Sequence, residues 1–327
     1  MSRPDVAVAG ARRAPSVAEL VERARDGDPR AVARLISLVE DASPALREVM
    51  AALAPYAGRA AVLGITGSPG VGKSTATSAL VSAFRADDRK VGVLAVDPSS
   101  PFSGGALLGD RVRMQEHATD RGVYIRSMAT RGHLGGLAWA TPQALRVLDA
   151  AGCDVVLVET VGVGQSEVEV AALADTTLVL LAPGMGDGIQ AAKAGILEVG
   201  DVFVVNKADS DGADQVVRDL RGAIRLAERA PGDWREPIVK TVASRAEGID
   251  DVVAAVDKHR NWMEQSGELD RRRRRRVRDE IEAIAVTALR QRFGDLHGDA
   301  RLDTLAEKVL AGRLDPYAAA DEILAAL

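Results

Sequence analysis

Apolar residues along this chain cluster in seven short runs separated by longer amphipathic stretches. The runs are Ala61–Thr66, Val91–Val96, Val123–Arg126, Asp154–Val158, Thr176–Leu181, Val202–Val205 and Pro237–Val242. Their continuity, without strict alternation, predicts strands buried on both faces. The stretches between most of them are long enough for crossover helices, so an α/β fold with a mainly parallel sheet is expected. Two flanking regions read differently. Residues 16–57 are rich in Ala, Leu, Val, Glu and Arg, with breaks near Gly27–Pro29 and Ser43–Pro44, which predicts two or three short helices. Residues 268–327 are again helical in composition. The expected organisation is an N-terminal helical extension (1–58), a central sheet domain (59–265) and a C-terminal helical arm (266–327).

Composition narrows the class. Of the 327 residues 47% are hydrophobic but only 3% aromatic, so the core must be built from Val, Leu, Ile and Ala. No apolar run approaches the roughly 18 residues of a membrane span, and no secretory signal is visible, so no membrane association is expected. A single cysteine, Cys153, cannot form an internal disulfide, which fits a reducing cytoplasm. A net charge of −5 argues against a general nucleic-acid partner. The run Arg271–Arg276 is followed at helical spacing by Asp279, Glu280 and Glu282, and reads as a solvated helix face or a subunit contact.

The chemistry begins where the first run ends. Gly67, Ser68, Pro69, Gly70, Val71, Gly72, Lys73, Ser74 and Thr75 spell GSPGVGKST, the phosphate-binding pattern G-x-x-x-x-G-K-[ST]. Its glycines permit turns that aim successive N–H groups inward. Lys73 brings a cation to the β- and γ-phosphates, and Ser74 offers Mg²⁺ a hard oxygen. The stretch Lys73–Phe84 has helical character, so the phosphates would lie at a helix N-terminus. The chain thus reads as a P-loop NTPase.

The base is chosen further along. Asn206, Lys207 and Asp209 stand in NKAD, directly after the run Val202–Val205. A carboxylate at Asp209 can accept both the N1–H and the exocyclic amine of guanine; adenine has no such donor pair and would leave it unsatisfied, at a cost of about 1–3 kcal/mol. Asn206 would hold the loops together, and the Lys207 stem would cover the base. Three acids fall on the phosphate side: Asp97, Asp110 and Glu159. They are candidates to join Ser74 around Mg²⁺, with helix or turn capping as the plain alternative. Glu159–Gly162 has the form E-x-x-G, where Gly162 could sense the γ-phosphate through its N–H. The next residue is Val163, where signalling GTPases use a glutamine to orient water, so slow intrinsic hydrolysis is expected unless Gln165 or a partner substitutes.

These motifs, with VDPSSPFSGGALLGDRVRM, HLGGLAWAT, DVVLVETVGVGQSE and LAPGMGDGIQAAKAGILEVGDVFVVNKAD, resemble the MeaB/ArgK/methylmalonic aciduria type A family. The resemblance implies a G domain of the SIMIBI class, with N- and C-terminal helical extensions, that binds GTP/GDP with Mg²⁺. It implies a slow, partner-stimulated GTPase acting as chaperone of methylmalonyl-CoA mutase, gating adenosylcobalamin loading and protecting or reactivating the mutase. It also implies a homodimer joined largely through the C-terminal arm. By the same resemblance Lys73, Asp97, Glu159 and Gly162 carry hydrolysis. Ser74, Asp97, Asp110 and Glu159 surround the metal, and Gln190 and Lys193 lie on a loop that couples nucleotide state to the mutase. Read alone, that loop (Pro183–Gly195) is an ordinary glycine-rich helix entry. Two departures stand out. The last base-binding element, usually Ser-Ala, reads Val242-Ala243-Ser244, so its contacts fall to the backbone; and RSMATRGHLGG, with Arg131 and His133, differs from the Ser-rich form. Two alternatives remain open. A metallochaperone-type GTPase would need soft or imidazole ligands, which one cysteine and four scattered histidines do not supply. A small-molecule, amino-acid-transport-linked kinase would transfer the γ-phosphate to an acceptor.

Overall fold

The structure, a computed structural model, describes residues 15–97, 115–117, 119–129, 140–160, 166–184, 196–225, 230–293 and 300–325. The seven apolar runs become seven strands: β1 (Ala61–Thr66), β2 (Val91–Asp97), β3 (Val123–Ala129), β4 (Val155–Thr160), β5 (Thr176–Leu181), β6 (Val202–Val205) and β7 (Ile238–Lys240). They form one sheet in the order β3-β2-β4-β1-β5-β6-β7, and every pairing is parallel. β1 lies at the centre, between β4 and β5, so the loop that leaves it emerges where ligands of open α/β sheets collect.

Four strands differ from the pattern in their limits, β2 by running one residue further, to Asp97. β3 runs past Arg126 because that charge leaves the sheet sideways: Nε donates to Glu40 Oε2 at 3.0 Å and Nη2 to Ser37 Oγ at 3.2 Å. β4 continues to Thr160, placing Glu159 inside the strand rather than after it. β7 is shorter at both ends, since Pro237 has no N–H to donate and the chain turns after Thr241 into the 3-10 turn Ala243–Arg245.

Helices cover both faces. α1 (Val17–Arg25) starts on a reciprocal cap, in which Glu19 N donates to Ser16 Oγ at 3.2 Å and Ser16 N to Glu19 Oε2 at 2.7 Å. α2 (Pro29–Glu40) starts on Asp28 with proline at its first position, and α3 (Leu46–Leu53) follows. Together with α5 (Thr141–Ala150) they bury one face, whose core includes Leu35, Val62, Leu94, Val156 and Leu148. Asp149, near the end of α5, accepts the backbone N–H of Ala60 at 2.9 Å and so fixes the chain where it enters β1. On the other face α4 (Lys73–Ala86) packs with Leu63, Ile65 and Leu157. The long helix Ile249–Ser266 joins it there. That helix is pinned to the amino edge of the sheet by buried His259, which meets Thr176 Oγ1 at 2.9 Å and sits 4.7 Å from the Trp234 ring. α6 (Ser166–Leu173), a short turn Ile196–Val199 and the helix Ala213–Arg225 complete the connections.

The chain divides into two compact units at Asp270/Arg271. The second holds most of the helix Glu268–Phe293, with the arginine run, and two further helices, Ala300–Leu310 and Pro316–Ala325, that share Leu305, Ala319 and Ile323. Among the described residues no helix is long and apolar enough to cross a membrane.

Candidate functional site

The loop after β1 is shaped by close approaches. At Gly67 (φ +141°) a Cβ would stand 2.2 Å from the Leu180 carbonyl oxygen, and at Gly72 (φ +92°) 2.5 Å from Asn206 Nδ2. Only glycine fits either position. Gly72 also caps α4 in a left-handed conformation with no side-chain hydrogen bond, so the first N–H groups of that helix face the loop. Lys73 curls back over the loop and donates from Nζ to Gly67 O at 2.7 Å and Ser68 O at 3.1 Å. Val71 is buried, whereas Pro69, Gly70 and Thr75 are exposed. A glycine-shaped turn at a helix N-terminus, with one lysine curled over it, can hold a di- or triphosphate.

Beside it, Ser74 Oγ donates to Glu159 Oε1 at 2.7 Å, both side chains being buried. The contact follows from the sheet register, which pairs Ile65 with Glu159 two residues before the loop begins. These are hard oxygens, and they fit Mg²⁺. Asp97 ends β2 opposite Ala129, one step beyond the Val96–Thr160 pair. Asp110, Gly162, Val163, Gln165, Gln190, Lys193, Arg131 and His133 lie outside the described residues.

The third part of the site is a junction of loops. Asn206, buried at the end of β6, donates from Nδ2 to Val71 O at 2.8 Å. Its Oδ1 accepts Ala243 N at 3.0 Å and Thr241 Oγ1 at 3.1 Å. One side chain therefore ties the phosphate loop to both loops expected around the base. Lys207 takes a left-handed φ of +55°, a strain of about 1–3 kcal/mol for such a residue, and its Nζ reaches Gly70 O at 2.8 Å. Ala208 N donates to Thr241 O at 3.0 Å, lacing the loops a second time. Asp209 stands at the open end of the junction with 42% of its side chain exposed. The carboxylate that adenine would leave unsatisfied is expected to be a buried one, and that part of the expectation is corrected by the exposure. Within Val242-Ala243-Ser244, the Ala243 N–H is committed to Asn206 and Ser244 is exposed.

Two groups were not singled out from sequence. Arg245 reaches Asp209 from the neighbouring turn, and Ser78, one helical turn after Ser74, meets His117 Nε2 at 3.0 Å and also bonds Glu116. An arginine directly after Ser244 was the available sign for the first; the second joins residues too far apart for any motif to show.

Against known proteins, the family described as methylmalonyl-CoA mutase-associated GTPase MeaB matches residues 32–296. A Pyrococcus abyssi protein whose name marks it as a GTPase is 48% identical over 309 residues, covering 94% of this chain and 95% of that one. The mouse methylmalonic aciduria type A homolog, named as mitochondrial, is 36% identical over 269 residues, covering 81% and 65%. Among solved structures, a crystal structure of LAO/AO transport system kinase superposes with a TM-score of 0.71 at 29% identity, covering 94% of this chain and 96% of that one. With a phosphate loop at the centre of an all-parallel sheet and this match across most of its length, the chain is a P-loop GTPase and belongs to the mutase-associated GTPase MeaB family.

Proposed function

We propose that this GTPase is a chaperone of methylmalonyl-CoA mutase, gating adenosylcobalamin loading and protecting or reactivating the mutase through its nucleotide cycle. The observation that carries the reading is the junction at Asn206, which ties the phosphate loop to both base-side loops in a chain matched by a mutase-associated family. Lys73 would hold the β- and γ-phosphates, and Asp209 would select guanine. Ser74 and Glu159, with Asp97 and Asp110, would surround Mg²⁺, which when bound neutralises charge developing on the phosphates. Val163 follows Gly162 where a water-orienting glutamine is expected, so intrinsic turnover is slow and the mutase supplies or completes that function. Gln190 and Lys193 would carry the nucleotide state to the mutase.

We also propose a homodimer. The helix Glu268–Phe293 exposes Val277, Ile281 and Ile284 at helical spacing, an apolar stripe suited to a second copy. A free, buried Cys153 is in keeping with a cytoplasmic protein. Co-purification with the mutase, followed by GTPase assay of the mixture, tests the central reading. The mutase should bind in a nucleotide-dependent way and raise kcat. A mutase that neither binds in any nucleotide state nor alters the rate overturns it. The kinase alternative is decided in the same assay by adding labelled GTP and amino acids and looking for a phosphorylated acceptor.

A further inference from the structure

Arg245 ends the turn Ala243–Arg245, and that turn is held from every side. Val242 and Glu247 bridge across it, with Val242 N to Glu247 O at 3.0 Å and Glu247 N to Val242 O at 3.3 Å. Ala246 lies at φ +56°, and at Gly248 (φ +75°) a Cβ would come within 2.2 Å of Lys240 O, so the chain doubles back tightly. Ala243 N and Thr241 O fasten the same turn to the loop that bears Asp209. The arginine therefore leaves from a fixed platform.

Its guanidinium is aimed as well as anchored. Nε donates to Glu247 Oε1 at 2.7 Å and Nη2 to Glu247 Oε2 at 3.3 Å, a two-point clamp. The remaining arm, Nη1, reaches Asp209 Oδ2 at 3.3 Å. Glu247 first, and Asp209 after it, raise the arginine's pKa above its ordinary value, as expected for a cation set between two carboxylates. A carboxylate offers about four acceptor positions. Arg245 takes one on Oδ2, and guanine needs one on each oxygen, so arginine and base can share Asp209.

We infer that Arg245, clamped by Glu247, is a base-selectivity residue: it fixes the plane of the Asp209 carboxylate so that both oxygens meet the N1–H and the exocyclic amine of guanine. The inference rests on the guanine reading of Asp209 proposed above. An exposed carboxylate free to turn about its last bond must be ordered when the base arrives. Pre-ordering it favours the ligand that uses both oxygens over one that uses a single oxygen. Hypoxanthine, which has the N1–H but lacks the amine, is the discriminating probe.

The experiment measures dissociation constants of GDP, IDP and ADP for the full-length chain with Mg²⁺. It compares wild type with Arg245→Ala, Arg245→Lys, Glu247→Gln, the double variant Arg245→Ala/Glu247→Ala, and Asp209→Ala. All three side chains are exposed, and circular dichroism checks the fold of each variant. Arg245→Ala should narrow the GDP-over-IDP preference roughly two- to fivefold, the range of a half-exposed charge pair, mainly through weaker GDP binding. Arg245→Lys and Glu247→Gln should lie between it and wild type, and the double variant should match Arg245→Ala, since Glu247 acts through the arginine. An unchanged GDP:IDP ratio in Arg245→Ala, or tighter GDP binding there, overturns the inference while leaving the guanine reading in place. A wild type that binds ADP as well as GDP, or an Asp209→Ala variant that keeps the full preference, overturns the guanine reading itself.

Discussion

Replacing Asn206 by alanine is the sharpest trial of the junction. The change deletes the bond to Val71 O and the two bonds received from Ala243 N and Thr241 Oγ1. Asn206 is buried, so water does not stand ready to replace them. Each backbone group left without a partner costs about 1–3 kcal/mol, and two are stranded here. Water entering the vacated space recovers part of that loss, which leaves a net destabilisation of about 3 kcal/mol. If the loosened loops must be regathered around nucleotide, a penalty of that size weakens GDP binding by about a hundredfold, at 1.4 kcal/mol per factor of ten. Urea unfolding followed by circular dichroism gives the first quantity, and calorimetric titration with GDP the second. Thr241→Val serves as the scale: it removes one hydroxyl and leaves Asn206 its bond from Ala243, so about 1 kcal/mol is expected. An Asn206→Ala protein as stable as wild type, with GDP affinity within about twofold of it, refutes the claim that this side chain holds the loops.

Glu159→Gln keeps an acceptor for the Ser74 hydroxyl but removes the charge, so the Mg²⁺ concentration needed for half-maximal GTPase should rise about tenfold with GDP affinity in EDTA little changed; an unaltered Mg²⁺ requirement counts against a metal role. Burial, more than the nearby Asp149 and Asp154, pushes the Cys153 thiol up to about 12. The folded thiol therefore keeps its proton where the unfolded one, titrating near 8.5, loses it. Stability should fall by up to about 1.4 kcal/mol per pH unit as pH rises above 8.5, and Cys153→Ser should lessen that slope in urea melts at pH 8–10. The folded chain should also resist thiol reagents at pH 8, and rapid labelling would disprove the burial. Ile281→Asp places a charge in the exposed stripe and should convert a dimer to monomers in light scattering; an unaffected dimer moves the interface elsewhere.

Much of the fold was legible because a parallel sheet buries both faces of its strands, which leaves unbroken apolar runs such as Thr176–Leu181 and Val202–Val205. One limit shifted because a polar residue belongs to a tertiary contact. Arg126 reads as the end of a run, yet its charge is satisfied by Glu40 of a helix more than eighty residues earlier. In the site, the phosphate loop and NKAD were readable because each is a contiguous segment with a fixed chemical task. That Asn206 holds the loops was readable from the motif; its particular partners, Val71 and Ala243, were not, since one side chain joins three segments. The same holds for Asp209. Its residue type pointed to guanine, but its exposure and its arginine neighbour depend on how two loops lie together.

The bond from Ser74 to Glu159 refines what the acid can do. A serine that ligates Mg²⁺ presents a lone pair to the metal and still has its proton to give elsewhere. Here that proton goes to Glu159 at 2.7 Å, so the hydroxyl is oriented by the carboxylate with its lone pairs left to face outward. The sheet register makes this arrangement a consequence of the fold: β1 and β4 pair Ile65 with Glu159, and α4 starts only a few residues beyond Thr66. If the proposed Mg²⁺ binds there, Glu159 would need no direct bond to it, since it would act through Ser74 or through a water in the coordination shell. The two routes separate by experiment. If Glu159 works through the hydroxyl, Ser74→Ala and the double variant Ser74→Ala/Glu159→Gln should raise the Mg²⁺ requirement to the same extent. If it binds the metal or its water independently, the losses should add.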